Sequence, residues 1–319
     1  IAAAACGVEV QEYKNDQIKE SSYMGYREIK TSREIIDDIY KKQSLAPEIF
    51  ADEKPFVANE YITLTDGNTS ALCVYRDNCI RLLKDTTAFG IRPQNRLQRF
   101  ALDALLAPAE EIPLVILRGP AGTAKTFLSM AAALDKTYTD EFTRHTSSTS
   151  YDKIYIGRAN VSSDEAFGFL PGELEDKTRP LLGCFYSNLE DLLRKGNHEE
   201  DAQIQIQIDD MMETGLLRVF PLAYIRGMSI KNSFIICDEA QNIGRSLIRD
   251  IVTRCGQGSK LVILGDTNQI DVPFLDKTNS GLTYLAHNMK GSTKCAQITF
   301  TEKESVRSAL ATEALNRLM

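Results

Sequence analysis

The stretch GPAGTAKT, residues 119–126, places a lysine and a threonine after a loop of small residues. In a phosphate-binding loop, successive backbone N–H groups and the start of the next helix surround a β-phosphate. Lys125 would neutralise the phosphates, and Thr126 would offer its hydroxyl to Mg²⁺. Alternatively, the small residues only allow a tight turn from a strand into a buried helix. The residues predicted to bind nucleotide are Gly119, Pro120, Ala121, Gly122, Thr123, Ala124, Lys125 and Thr126.

Ala124 departs from the phosphate-loop pattern, in which a glycine normally stands before the lysine. Because this position enters the helix, we expect a right-handed backbone there, which alanine tolerates. The methyl group would still crowd the phosphates, while Gly122 can supply an unusual backbone angle within the loop. The sequence therefore predicts weakened nucleotide binding rather than its loss.

A pair of acidic residues follows the apolar run in NSFIICDEAQN. This run reads as a buried parallel strand, and such sheets place their sites at the carboxyl ends of the strands. Asp238 suits the outer shell of Mg²⁺, and Glu239 suits the orientation and deprotonation of an attacking water. Taken alone, the pair is more typical of charges at a helix N-terminus. Its combination with the loop at residues 119–126 favours the catalytic interpretation.

A third apolar run, LVILGDTN, ends in a polar turn that leads to Gln269. An amide at the tip of a neighbouring strand could sense a γ-phosphate and report its hydrolysis to a loop. An ordinary exit from a strand into a turn is the alternative. We predict that Gln269 joins the catalytic group.

These side chains require a particular arrangement of elements. After IRPQNRLQRF, apolar strands alternate with amphipathic helices, which predicts an α/β fold with a parallel sheet. Before it, EYITLTDGNTSALCVYRDNCIRLL reads as two or three antiparallel strands around a turn. A short helix is predicted around SREIIDDIYKK. We predict a connector with the remnant of an upstream domain at 1–55, a small β-rich module at 56–90 and a nucleotide-binding domain at 91–319.

Composition limits the classes of protein that fit. The chain has 319 residues, 43% of them hydrophobic, which is enough for a substantial core and suggests about two domains. No apolar run reaches the roughly 20 residues of a membrane span, so the cytoplasm is the expected compartment. Seven scattered cysteines favour reduced thiols over disulfides or zinc. A net charge of −7 disfavours indiscriminate binding of nucleic acid over the whole surface, but a local basic channel remains compatible with it.

The motifs together resemble the PhoH family of ATPases, which is related to superfamily 1 helicases. The resemblance rests on GPAGTAKT, FGFLPGELEDKTRP, PLAYIRGMSIKN, FIICDEAQN and ILGDTNQID, which occur in the family's order. It covers the chain from Arg92 to Met319 and implies a P-loop NTPase with a RecA-like sheet. AAACGVEVQEYKND and EYITLTDGNTSAL also resemble longer members in which a PIN ribonuclease domain precedes the ATPase.

The resemblance implies roles for five further residues. Gln98 matches the glutamine that reads adenine in related helicases. Arg307 matches an arginine that would contact the γ-phosphate, in cis or from a neighbouring subunit. Arg158, Arg179 and Arg226 are candidates for contacts with RNA or between subunits, with a surface salt bridge as the alternative for each.

Two functions follow from these expectations. The first is a Mg²⁺-dependent ATPase that moves along single-stranded RNA as a helicase or translocase. Since related helicases pair two such cores, assembly into a ring, in this family a hexamer, would supply the second half of the site. The second function is a slow nucleotide-binding switch or scaffold that regulates an upstream PIN-like domain or another protein.

Overall fold

The computed structural model describes most of the chain, including the phosphate loop, the acidic pair and Gln269. The described residues are 18, 22–138, 150–159, 183–194, 201–225, 228–305, 313 and 317. Three predicted site residues, Arg179, Arg226 and Arg307, lie outside them. The predicted remnant of an upstream domain, residues 1–20, lies outside them as well, except for Ile18.

A mixed five-stranded sheet comes first in the chain, with the strand order β1-β3-β4-β5-β2. Strands β3, β4 and β5 are antiparallel, as the sequence predicts, but β1 lies parallel to β3 at one edge. The predicted helix forms between β1 and β2. The elements of this β module are β1 (Tyr26–Lys30), α1 (Arg33–Lys42), β2 (Ser44–Leu45), β3 (Tyr61–Thr65), β4 (Ser70–Arg76) and β5 (Cys79–Leu82).

Alternating side chains give β3 two different faces. Ile62 and Leu64 pack with Ile36 and Ile39 of α1 in one apolar cluster, while Tyr61 joins the core of the second sheet. This follows from the period of two residues along a strand. Residues 26–50, which belong to the segment predicted as a connector, thus fold with the β module, while the domain limits themselves stay a prediction.

A six-stranded, wholly parallel sheet forms the rest of the fold, in the order β11-β6-β10-β9-β7-β8. Its strands are β6 (Leu114–Arg118), β7 (Lys153–Arg158), β8 (Leu217–Pro221), β9 (Ser233–Asp238), β10 (Lys260–Gly265) and β11 (Cys295–Thr299). Its helices are α2 (Arg96–Leu106), α3 (Lys125–Thr137), α4 (Gly183–Arg194), α5 (Asp201–Glu213), α6 (Arg245–Arg254) and α7 (Gly281–Asn288).

Both faces of this parallel sheet are covered, which explains the near-continuous apolar runs of its strands. Val115 and Leu117 of β6 face the cluster formed with α2 to α5, and Leu114 and Ile116 face the cluster formed with α6 and α7. The fold is α/β with a RecA-like parallel sheet, because the strand that leads into the P-loop lies between β11 and β10. In the part of the chain that the structure describes, no helix is long and apolar enough to cross a membrane.

The β module packs directly on the parallel sheet. The Tyr61 ring stacks on Phe100 of α2 with centroids 4.8 Å apart, and Arg76 forms an ion pair of 2.6 Å with Asp103 of the same helix. Gly25 lies so close to Gln297 of β11 that a Cβ atom there would come within 1.6 Å of the Gln297 carbonyl oxygen. The two sheets therefore share one core.

Candidate nucleotide-binding site

A cleft of about 240 Å³ lies at the carboxyl ends of β6, β9 and β10. This is the edge at which open parallel sheets bind ligands. The cleft brings together the phosphate-loop residues, the acidic pair and the predicted sensor amide, which are far apart in sequence. Its lining residues are Ala121, Gly122, Thr123, Ala124, Lys125, Thr126, Phe127, Asn188, Asp238, Glu239, Gly265, Asp266 and Gln269.

The loop between β6 and α3 needs glycine at its first position. Gly119 has a φ of +132°, and a Cβ atom there would lie 2.5 Å from the Phe300 carbonyl oxygen. Gly122 also has a positive φ, of +80°. Thr123 is buried and its hydroxyl donates to the Pro120 carbonyl oxygen at 2.9 Å. These contacts hold the loop in a curled shape in front of the helix.

The backbone conformation of Ala124 differs from the one predicted from the sequence. Its backbone is left-handed, with φ 65° and ψ 21°, where we predicted a right-handed conformation. Left-handed geometry brings Cβ close to the following carbonyl and costs an L-residue roughly 1–2 kcal/mol. The last position of this loop therefore keeps the backbone shape that favours glycine, although the residue is alanine.

Lys125 folds back over the loop. Its Nζ donates to the carbonyl oxygens of Gly119 at 2.6 Å and Pro120 at 2.8 Å. The ammonium group therefore stands beside the backbone that would enclose the phosphates, at the N-terminal end of α3. A bound phosphate would compete with these carbonyl oxygens for the same charge.

Thr126 and Asp238 meet across the cleft, with the hydroxyl oxygen 3.3 Å from a carboxylate oxygen. Asp238 is buried, and its burial, followed by the negative charge of Glu239, raises the pKa of the Asp238 carboxyl. A hydroxyl and a carboxylate are the oxygen ligands that Mg²⁺ takes beside substrate phosphates, so these two residues fit the ion. No group of three or more His, Cys, Asp or Glu side chains that could hold a metal occurs among the described residues.

Glu239 has both carboxylate oxygens engaged. Arg158, at the end of β7, donates to one oxygen at 3.1 Å, and Gln241 donates to the other at 2.5 Å. The Glu239 backbone is left-handed, with φ 57°, at the point where β9 turns into a short 3₁₀ turn. Arg158, predicted as an RNA or interface candidate, therefore contacts the glutamate that is predicted to orient water.

Gln241 is a residue that sequence reasoning missed. It is fully buried, and its amide nitrogen also donates to the Gln269 carbonyl oxygen at 2.9 Å, while its oxygen accepts from the Asp266 backbone N–H at 3.0 Å. A Cβ atom at Gly265 would lie 2.5 Å from that oxygen, so the end of β10 has no room for a larger residue. One amide thus connects Glu239 with the turn that carries Gln269. The signal was present in DEAQN, where a glutamine follows Glu239 by two positions.

Gln98 does not line the cleft. It is buried in the first turn of α2, where Asn95 caps the helix by accepting from the Gln98 backbone N–H. Its side-chain oxygen accepts from the Gln94 backbone N–H at 2.8 Å. Its role toward adenine stays a prediction from the resemblance.

Comparison with known proteins shows which family the chain belongs to. The family model described as PhoH-like protein matches residues 90–318. The chain belongs to the PhoH family. The Bacillus subtilis protein named PhoH2 is 34% identical over 327 residues, a match that covers 100% of this chain and 70% of the relative. The PhoH2 of Thermobispora bispora is 29% identical, with 99% of this chain and 68% of that protein covered.

Similarity to solved structures is much weaker. The structure called "The structure of PRRSV helicase" aligns with 85% of this chain and 48% of its own, at 11% identity and a TM-score of 0.25. A TM-score at this level carries no argument about this protein. Membership of the PhoH family and the geometry at residues 119–126 support a nucleotide-binding P-loop NTPase.

Proposed function

We propose that this protein hydrolyses ATP in a Mg²⁺-dependent reaction and uses the hydrolysis to move along single-stranded RNA as a helicase or translocase. The observation that carries the ATPase proposal is the convergence of Lys125, Thr126, Asp238 and Glu239 on one cleft. Each group supplies one part that phosphoryl transfer needs: charge neutralisation, a metal ligand set and a residue that orients water.

Nucleotide binding would begin at the curled loop. Backbone N–H groups of residues 119–126 and the N-terminus of α3 surround the β-phosphate, and Lys125 turns from the carbonyl oxygens of Gly119 and Pro120 toward the phosphates. Thr126 and Asp238 would hold Mg²⁺, which neutralises charge that develops on the phosphoryl oxygens. Gln98 would contribute to recognition of adenine.

Water activation falls to Glu239. Arg158 and Gln241 each donate to one of its oxygens and hold the carboxylate in place, and each oxygen keeps a second lone pair that can accept from a water. Gln241 reaches the Gln269 turn through the Gln269 carbonyl oxygen. We infer that a change at the γ-phosphate reaches this turn through the same amide, and that Arg307 completes the charge around the γ-phosphate.

The mechanical partner in this proposal is single-stranded RNA, with Arg158, Arg179 and Arg226 as contacts to RNA or to a neighbouring subunit. Since the chain carries one parallel-sheet core, a ring of subunits, such as a hexamer, would supply the second side of each site. A PIN-like domain upstream in the full-length protein is a further proposed partner.

A slow nucleotide switch is the second candidate, and two observations favour it. Ala124 holds a strained backbone at the loop, and both oxygens of Glu239 are engaged. A site in this state could bind ATP for long periods and regulate a nuclease domain or another protein without rapid turnover.

Steady-state ATP hydrolysis with and without oligo(U), in Mg²⁺ and in excess EDTA, separates the two functions. Lys125→Ala and Glu239→Gln are the test variants. Lys136→Ala, in the last turn of the same helix, and the exposed Glu213→Gln are the matched controls. The motor predicts Mg²⁺-dependent turnover that rises with RNA, a loss of at least about 100-fold in both test variants and no change in the controls.

Each outcome decides between the candidates. Tight ATP binding without turnover, with or without RNA, would contradict the motor and leave the switch. Equal turnover in wild type and Glu239→Gln would contradict the role of Glu239 in either function.

A further inference from the structure

A second and larger cleft, of about 900 Å³, lies between the β module and the start of α2. We call it the module cleft. One wall is the part of the β3 and β4 sheet face that α2 leaves uncovered, and the other wall is the segment 85–99. Its lining includes Glu28, Tyr40, Asp85, Arg92, Arg96 and Arg99.

Three arginines line one wall of the module cleft. Arg96 pairs with Glu28 at 2.8 Å and Arg99 pairs with Asp85 at 2.6 Å. Arg92 is exposed and makes no hydrogen bond or ion pair with any described residue. An exposed pair such as Arg96–Glu28 contributes little to stability and exchanges readily, so phosphate groups can take over the guanidinium groups of Arg92 and Arg96.

Some residues that line the same cleft carry buried polar atoms without partners. The hydroxyl oxygens of Thr63 and Thr86 and Nε of Arg99 are buried and have no hydrogen-bond partner among the described residues. Thr63 is 5% exposed and belongs to the floor formed by β3. Buried groups of this kind normally find a partner in the protein or in ordered water, so a ligand in the cleft would meet the exposed guanidinium groups first.

Tyr40 supplies an aromatic ring at the edge of the module cleft. The residue is 52% exposed, and its hydroxyl donates to the Ser70 carbonyl oxygen at 3.0 Å, which fixes the ring on the sheet. A groove with guanidinium groups, hydroxyl groups and an aromatic platform matches the requirements of a single-stranded nucleic acid, whose phosphates and bases need these contacts.

From these features we infer that the module cleft holds a short segment of single-stranded nucleic acid. This inference rests on the proposed function and names the place where its RNA would bind. The cleft also touches the nucleotide-binding part of the fold, since Gln94 lines it and donates its backbone N–H to Gln98. A nucleic-acid strand that contacts Gln94 would therefore be one hydrogen bond away from Gln98, the residue predicted to read adenine.

Fluorescence anisotropy of labelled oligo(U), measured on the whole chain over a series of salt concentrations, tests this site. Arg92→Ala should weaken binding at least about 5-fold and reduce the slope of log K against log salt by about 0.7, the value for one phosphate contact on a single strand. Arg96→Ala, which removes a second exposed guanidinium group from the same wall, should have a similar effect on binding and slope. Arg81→Ala, outside the cleft on β5, is the matched control and should change neither quantity.

The outcomes separate this site from the proposed function. Equal binding by wild type, Arg92→Ala and Arg96→Ala, with ATP hydrolysis that still rises with RNA, would overturn the module cleft as the binding site and leave the motor. Binding of an acidic peptide but not of oligo(U) would assign the cleft to a protein and overturn the inference. Parallel titrations with oligo(U) and oligo(dT) distinguish RNA from DNA as the source of the strand.

Discussion

At the scale of single residues, the site depends on backbone conformations as much as on side chains. Ala124 and Glu239 both adopt left-handed conformations next to the groups that would do the chemistry. Strain of this kind costs about 1–3 kcal/mol per residue and persists only where the surroundings enforce it. At Ala124 the enforcement comes from the curled loop that Lys125 holds through two carbonyl oxygens.

Replacing Ala124 by glycine should therefore improve both stability and nucleotide binding. Glycine adopts the left-handed backbone without penalty, so we expect Ala124→Gly to raise the free energy of unfolding by about 1 kcal/mol. Removal of the methyl group should lower the Kd for ATP several-fold. Urea denaturation and titration with a fluorescent ATP analogue measure the two effects.

Ala121→Gly is the matched control for this change. Ala121 is an exposed member of the same loop and does not have a positive φ. The same substitution there should lower stability by roughly 0.5–1 kcal/mol, because glycine only adds freedom to the unfolded chain. If both variants lost stability equally, the left-handed conformation of Ala124 would be wrong.

At the scale of elements, local pattern and long-range pairing were not equally predictable. The apolar runs before residues 119 and 238 predicted β6 and β9, because strands buried on both faces have continuous apolar sequences. The place of β1 beside β3 was missed, since YREIK is mostly polar and its partner follows after a helix and a short strand. Gln241 escaped notice because its role depends on contacts between the ends of two strands.

Lys260, at the start of β10, is an element-level contact that should make stability depend on pH. It is fully buried beneath α2 and donates to the Ala104 carbonyl oxygen at 2.8 Å. Burial, followed by the positive charge of Arg76, lowers the pKa of Lys260 to about 7, against the opposing effect of Asp103. Near neutral pH the folded state therefore holds this proton less tightly than the unfolded chain.

The sign of the effect follows from this difference. Between about pH 7 and pH 10 the unfolded chain binds more protons at Lys260, so its contribution to stability rises with pH, by up to about 1.4 kcal/mol per pH unit. Below pH 7 both states are protonated and the contribution is constant. In urea denaturation from pH 6.5 to 9, the unfolding free energy of wild type minus that of Lys260→Met should become more positive as the pH rises.

The exposed Lys231, replaced by methionine, is the control. Its difference from wild type should stay constant over the same pH range, since an exposed lysine has similar surroundings in both states. Parallel curves for wild type and Lys260→Met would mean that Lys260 keeps its charge in the folded protein, which would contradict the effect of burial.

At the scale of the whole molecule, the β module and the parallel sheet should act as one folding unit. Tyr61 lies in the core of the second sheet although it belongs to β3 of the first. Its ring stacks on Phe100, and its hydroxyl donates to Asp103 at 2.9 Å. The module cleft lies between these two parts. A rigid junction would therefore let a nucleic-acid strand in that cleft influence the nucleotide site.

Truncation of Tyr61 tests this coupling. We expect Tyr61→Ala to lower the free energy of unfolding by about 3–5 kcal/mol, the range for loss of a buried aromatic side chain, and Tyr61→Phe by about 1 kcal/mol for the lost hydrogen bond. The exposed Tyr40→Ala should stay within about 0.5 kcal/mol. Because the chain contains no tryptophan, circular dichroism and tyrosine fluorescence would follow unfolding in urea.

The shape of these transitions matters more than their midpoints. If the two sheets share one core, wild type and all three variants should unfold in a single transition that both signals report at the same urea concentration. A variant in which the signals separate would show that the two sheets do not unfold as one unit. In that case a nucleic-acid strand in the module cleft could not be held between two fixed walls. Its contact through Gln94 with Gln98, the residue predicted to read adenine, would then be lost as well.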